Sequence, residues 1–180
     1  MKKIYYNWSD VESQTQEILR QIALSNWQPD YVVGLTRGGL VPANLISQYL
    51  DIPMHTLKIN LRDHAYTESN PWMARDAFGG YLDPENPKKF VRKNILIVDD
   101  INDSGATLNW IKQDWQNSYN PEIYQMWEQA WNENVRFAVL VHNESSEYKR
   151  IDYSCINLNK AEEDCWIVFP WEEWWRSRIN

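Results

Sequence analysis

What this chain lacks narrows the field before any motif is read. It has no surplus of cations: 18 lysines and arginines face 25 aspartates and glutamates, a formal net charge of −7. Nonspecific binding to nucleic acid needs a basic face, so that class is set aside. A small anionic ligand stays open, because a loop of backbone amides and one Mg²⁺ reverse the sign locally. Cysteine is scarce. Cys155 and Cys165 form no metal-ligand pattern, which fits a reduced, cytoplasmic protein. The opening MKKIYYNWSD carries two lysines but no apolar stretch behind them, so no secretory leader is expected. No run approaches the roughly 20 apolar residues of a membrane span. Internal repeats, low-complexity tracts and an evident linker are missing too.

Core material, by contrast, is plentiful. Hydrophobic residues make up 43% of the 180 and eleven are tryptophan, enough for one packed domain over 1–180. The tryptophans read as large core residues, with some open to an interface. Ser9 and Glu12 fit a capping box ahead of a helix that runs to about residue 24 on Val11, Ile18 and Ile22. Strands are expected near 31–35, 54–59, 95–98, 135–141 and, more weakly, 153–157. Helices are expected over 40–50, with Pro42 tolerated in its first turn, over about 105–119, and over 122–132. Residues 60–93 keep no period and hold Pro71, Pro84, Pro87 and Gly79-Gly80, which suggests a lid or a small subdomain. Alternating apolar strands and helices predict an α/β fold, a parallel sheet flanked by helices on both faces. In such folds ligands sit at the carboxyl ends of the strands, where the turns 36–39 and 99–107 fall.

Within NILIVDDINDSGATLNW, residues 94–110, a branched apolar strand runs into Asp99 and Asp100, then Asp103, then Ser104-Gly105-Ala106-Thr107. Free N–H groups at a helix N-terminus bind anions, Gly105 permits close approach, and the hydroxyls of Ser104 and Thr107 add donors. This is neither a Walker loop nor GxGxxG. Carboxylates repel a phosphate, but they accept hydrogen bonds from vicinal sugar hydroxyls, and one of them, Asp100, is placed to hold Mg²⁺. Phosphate at one end and a diol at the other match a ribose 5-phosphate. The plain alternative is a strand ending in solvated acids before an ordinary helix cap.

That stretch resembles the binding signature for 5-phosphoribosyl 1-diphosphate (PRPP) of type I phosphoribosyltransferases. The resemblance implies that Asp99 and Asp100 embrace the ribose hydroxyls and that Ser104, Gly105, Ala106 and Thr107 hold the 5-phosphate. VVGLTRGGLVPANLISQYLDI, from Val32, is similar to the start of the bacterial xanthine-guanine enzymes. There the Thr36-Arg37-Gly38 turn would take pyrophosphate, with a strained or cis peptide expected between Arg37 and Gly38. Arg37 also suits this role on its own chemistry, as a permanent cation with a phosphate-matching fork. Arg62 and Asp63 fall where the family's mobile hood begins, over 60–93. Trp166 and Ile167 fall in its base-binding tail, over 153–180. The family's purine enzymes carry a lysine at the end of the fourth strand. Here the strand ends Val141-His142-Asn143, and Asn143 is the residue left to donate to the base. Residues 112–134 are a longer, aromatic insertion, either a helical extension packed on the domain or an oligomer contact.

The implied reaction is a Mg²⁺-dependent purine salvage step. The 5-phosphoribosyl group passes from PRPP to guanine, xanthine or hypoxanthine, with Asp103 against N7 of the base. Family analogy implies a homodimer or homotetramer, with no nucleic-acid or membrane partner. The alternatives are transfer to another base, a non-catalytic PRPP- or nucleotide-binding regulator, and a receiver-like domain with a different phosphate ligand.

Overall fold

The computed structural model describes residues 1–59, 61 and 70–175. The elements run β1 (Lys2–Tyr5), α1 (Trp8–Leu24), β2 (Tyr31–Thr36), α2 (Leu40–Leu50), β3 (Met54–Lys58), α3 (Pro71–Phe78), β4 (Tyr81–Leu82) and β5 (Phe90–Val91). Then come β6 (Ile95–Asn102), α4 (Ala106–Ser118), α5 (Tyr124–Ala130), β7 (Val135–Asn143), β8 (Tyr153–Leu158) and β9 (Cys165–Val168). A five-stranded sheet in the order β3-β2-β6-β7-β8 is parallel throughout. The sense in which successive strands are added to the sheet reverses between β2 and β6. From β2 the chain steps outward to β3; from β6 it steps the other way to β7 and β8. That is a topological switch point, and the crevice it opens lies between the carboxyl ends of β2 and β6.

The strands are apolar on both faces because both faces are covered. Val33, Leu35, Ile97 and Phe137 pack under α3, α4 and α5. Val32, Leu96, Val98 and Leu140 pack under α1 and α2. Each Val, Leu or Ile side chain so buried contributes about 1.5–3 kcal/mol. The aromatic segment 112–134 belongs to the first of these layers. Trp115, Trp127 and Trp131 are fully buried, and the Trp131 ring stacks on both Trp127 (5.6 Å) and Phe137 (6.1 Å). Trp127 Nε1 donates to Tyr119 O at 2.9 Å, which fastens α5 to the end of α4.

Several local details differ from expectation. The α1 cap is Asn7, not Ser9. Asn7 Oδ1 accepts from Asp10 N at 3.0 Å and Asp10 Oδ2 accepts from Asn7 N at 2.7 Å. The same three-residue spacing recurs two positions earlier, with an acid in the first turn to meet the helix dipole. The 60–93 segment is not all lid. α3 buries Met73, Ala74, Ala77 and Phe78, and β4 pairs with β5 as a short hairpin. An eight-residue helix opening on a proline inside a polar stretch gives too few turns for a periodic pattern. β1 was not foreseen either. It pairs in parallel with β9, Lys3 opposite Trp166 and Ile4 opposite Ile167. β6 runs on to Asn102, so Asp99 and Asp100 are strand residues rather than loop. No helix among the described residues is long and apolar enough to cross a membrane.

Truncating the centre of the aromatic stack tests this packing. Trp131→Ala should cost about 3–5 kcal/mol in urea unfolding. A loss under about 1 kcal/mol would mean the stack adds little to the core.

Candidate active site

Two turns meet at the switch point. The first leaves β2 at Thr36 and enters α2 through Arg37-Gly38-Gly39. Gly39 N donates to Leu35 O at 2.9 Å and Leu40 N to Arg37 O at 3.2 Å, which coils the chain tightly at the strand end. The cis peptide lies between Thr36 and Arg37, one bond before the expected position. The second turn leaves β6. A Cβ on Gly38 would overlap the Asp100 carboxylate. One on Gly39 would overlap Val98 O and stand 2.9 Å from Asp99 Cα. The turns are therefore in van der Waals contact, and only glycine permits it. Arg37 is exposed beside this contact, free to swing toward a ligand at the same edge.

Asp99 and Asp100 are only partly exposed. Burial holds the Asp99 carboxyl well above the usual carboxylate range, and the neighbouring Asp100 charge adds to this. Burial likewise raises Asp100 to about 6, helped by the charge of Glu172 from the C-terminal tail. Both groups stand to gain from a cation or a hydrogen-bond donor. Among the described residues no group of three or more His, Cys, Asp or Glu converges as a metal cage. Two adjacent carboxylates still fit Mg²⁺, which takes one or two of them and completes its shell with water and substrate phosphates.

Beyond the strand, Gly105 adopts φ +86°, and a Cβ there would stand 2.7 Å from Ser146 Oγ. This left-handed step turns the chain so that Ala106 opens α4, with Ser104 exposed and Thr107 half-buried in the first turn. Ser104 Oγ accepts from Ala106 N at 3.3 Å. The loop rests on a polar buttress that sequence gave no reason to expect. Buried Asn102 donates to Tyr148 O at 2.8 Å, its Oδ1 accepts from Ser146 Oγ at 3.1 Å, and Glu147 N donates to Ser104 O at 2.9 Å. His142 Nδ1 lies 3.1 Å from Asn102 Nδ2, and burial pulls the imidazole below its ordinary pKa.

Asp103 projects between this loop and the C-terminal segment. Its Oδ1 pairs with Lys160 Nζ at 2.9 Å. Asn143 does not face the pocket as expected. It is buried, its Nδ2 donates to Asp103 O at 2.9 Å, and its Oδ1 accepts from Ser145 Oγ and Lys160 N. Its amide is fully engaged in tying three loops together. Trp166 is partly exposed, and Lys160 Nζ lies 5.8 Å from its ring centroid. The side chain of Ile167 alternates to the other face of β9 and is buried with Val11 and Ala43 in the core, so it cannot stack on a ligand. Arg62 and Asp63 lie outside the described residues.

The raised carboxyls carry a stability consequence. Each binds its proton better in the fold than in the unfolded chain. The associated stability is complete below the ordinary value of 3.8 and is lost as pH rises through about 6 for Asp100. Asp100→Asn should therefore unfold later than the parent at pH 8, by about 1–2 kcal/mol after discounting for partial exposure. That margin should vanish near pH 4. Earlier unfolding than the parent at pH 8 would contradict the strain.

The phosphoribosyl transferase domain matches residues 2–178 of the chain. The hypoxanthine-guanine phosphoribosyltransferase of Schizosaccharomyces pombe is 23% identical, over 94% of this chain and 89% of that protein. The xanthine-guanine phosphoribosyltransferase of Cereibacter sphaeroides is 30% identical, over 78% of this chain and 68% of that protein. The solved structure of a purine phosphoribosyltransferase from Pyrococcus horikoshii shares the fold, with a TM-score of 0.63 at 23% identity over 96% of both chains. A domain match over nearly the full length, joined to a 30% identical relative, makes this chain a member of the type I phosphoribosyltransferases.

Proposed function

We propose that the chain transfers the 5-phosphoribosyl group of PRPP to a 6-oxopurine: guanine, xanthine or hypoxanthine. The observation that supports this is the contact of Gly38 and Gly39 with Val98–Asp100, which brings the turn after β2 against the end of β6, as a sugar carrying phosphate at both ends would require. The similar proteins from Schizosaccharomyces pombe and Cereibacter sphaeroides are hypoxanthine-guanine and xanthine-guanine phosphoribosyltransferases, and this supports the choice of base.

In this reading Asp99 and Asp100 accept hydrogen bonds from the two ribose hydroxyls, and the amides opening α4 with Ser104 and Thr107 take the 5-phosphate. Arg37 and the amides of 36–38 take the departing diphosphate. Asp100, with Asp99 beside it, would hold Mg²⁺, which neutralises diphosphate charge when bound. Leaving-group departure puts positive charge on the ribosyl ring, which the paired carboxylates would stabilise. Asp103 contacts N7 of the base, as the general base that takes its proton or as an electrostatic partner. Trp166 supplies an aromatic face for the base to pack on. Most of the acceleration is positional, since both reactants are held in line at one crevice.

Incubating the protein with PRPP, Mg²⁺ and a panel of bases tests the reading, and nucleoside monophosphate should form from 6-oxopurines. Tight nucleotide binding without product from any base would move the protein to a regulatory role. Asp103→Asn should lower kcat about 10²–10⁴-fold with little change in the KM for PRPP. Unchanged turnover would remove Asp103 from proton transfer. Arg37→Ala should raise the KM for PRPP by at least about tenfold, and a wild-type value would remove it from the diphosphate site.

A further inference from the structure

The amino edge of the sheet, opposite the crevice, holds a cavity of about 400 Å³. That lies within the roughly 300–1,000 Å³ of small-ligand sites. Its walls come from the residues that open β2 and β3, the first turn of α3 and the link from β5 to β6. Three rings meet there. The Tyr31 and His55 centroids are 5.1 Å apart with planes at 88°, and those of His55 and Trp72 are 5.0 Å apart at 78°. Tyr31 and Trp72 are 5.9 Å apart. Tyr31 belongs to the core, whereas the Trp72 ring stays 42% exposed. Buried Asp76 fixes two of the lining groups: it accepts from Tyr31 Oη at 3.1 Å and pairs with Lys93 Nζ at 3.3 Å.

Packing alone does not call for the polar groups in these walls. Half-buried His55 makes ring contacts only, and neither of its nitrogens has a hydrogen-bond partner among the described residues. Half-buried Arg92 donates through Nε to Phe78 O at 3.2 Å and through Nη2 to Met126 O at 3.5 Å. Those bonds use two of its five donors, and no carboxylate among the described residues pairs with it. The acids nearby are committed elsewhere, Asp76 to Lys93 and Asp30 to Asn94 N at 2.7 Å. A partly desolvated guanidinium with donors to spare favours an oxyanion that matches its fork, a carboxylate or a phosphate. The imidazole can donate to the same group, and the rings favour an aromatic body. A neutral apolar occupant would shut Arg92 away from water without an acceptor. We propose that this cavity is a second binding site, for a small flat aromatic ligand carrying one carboxylate or phosphate. Trp72 and His55 hold the ring and Arg92 takes the anion. The site shares no residue with the crevice at the carboxyl ends of β2 and β6, so it does not depend on the base transfer proposed above.

Calorimetric titration of the full chain with 2-naphthoate and with 2-naphthyl phosphate tests this. At least one should bind saturably, and the tighter of the two assigns the anion as carboxylate or phosphate. Neutral 2-naphthol and non-aromatic cyclohexanecarboxylate should each bind at least about tenfold more weakly. Arg92→Met should weaken the anionic probe at least about tenfold, and Trp72→Leu about fivefold. Excess PRPP with Mg²⁺ should leave the titration unchanged. No saturable binding of either anionic probe, equal binding of 2-naphthol, or parental affinity in either variant overturns the proposal. Displacement by PRPP would put the probe in the crevice and overturns it as well. If Arg92→Met does not fold, Arg92→Lys keeps the charge, removes the fork and is judged by the same ratio of naphthoate to naphthol affinity. If Trp72→Leu does not fold, Trp72→Phe should weaken the anionic probe about twofold through its smaller ring, and parental affinity there counts against the proposal.

Discussion

The closeness of two backbones at the switch point governs the rest of the site. Gly38 and Gly39 lie against Val98, Asp99 and Asp100 with no room for a single Cβ. That proximity follows from the sheet order. β2 and β6 are adjacent, and their helices leave in opposite senses, so the two turns must share one crevice. A ligand carrying phosphate at both ends of a sugar can then be held by two short loops, each anchored on a rigid strand.

The same proximity works against stability. It places two carboxylates side by side at the end of a buried strand, with Glu172 adding to the field from the tail. Site and fold are therefore in tension, a common feature of functional centres. The opposing terms are packed into the layer beneath. The Trp127–Trp131–Phe137 stack and the apolar faces of α3, α4 and α5 cover the sheet face from which these strands emerge. Among the eleven tryptophans, Trp115, Trp127 and Trp131 fill the core, Trp166 is partly exposed beside Lys160, and Trp8, Trp72, Trp174 and Trp175 are exposed.

Much of this was legible in the sequence because it is local. The acids, glycines and hydroxyls of 99–107 and the Thr-Arg-Gly-Gly turn are contiguous, and each dictates its own geometry. The long strands and helices follow from apolar runs bounded by Pro29, Pro53 and Pro121. What could not be read depends on residues brought together from afar. The β1–β9 pairing joins the two ends of the described chain, and neither four-residue strand carries a pattern of its own. Lys160 reaches Asp103 from 57 positions downstream, and Asn143 turns inward only because three loops need its amide. Asn102 and Ser146, which brace the loop between β6 and α4, lie in no motif. The Asn7 cap and the Thr36–Arg37 cis bond were displaced by two residues and by one bond, since spacing rules locate such features only to within a residue or two.

The contact of the two turns is open to direct measurement. In Gly38→Ala the added methyl must push Asp100 off the turn, separating the two turns while leaving the core untouched. Calorimetric titration of the variant with PRPP and Mg²⁺ should show affinity reduced by at least about tenfold, or about 1.4 kcal/mol, with an unchanged unfolding midpoint. Parental affinity in a folded Gly38→Ala would show that the two turns bind independently and would contradict the account.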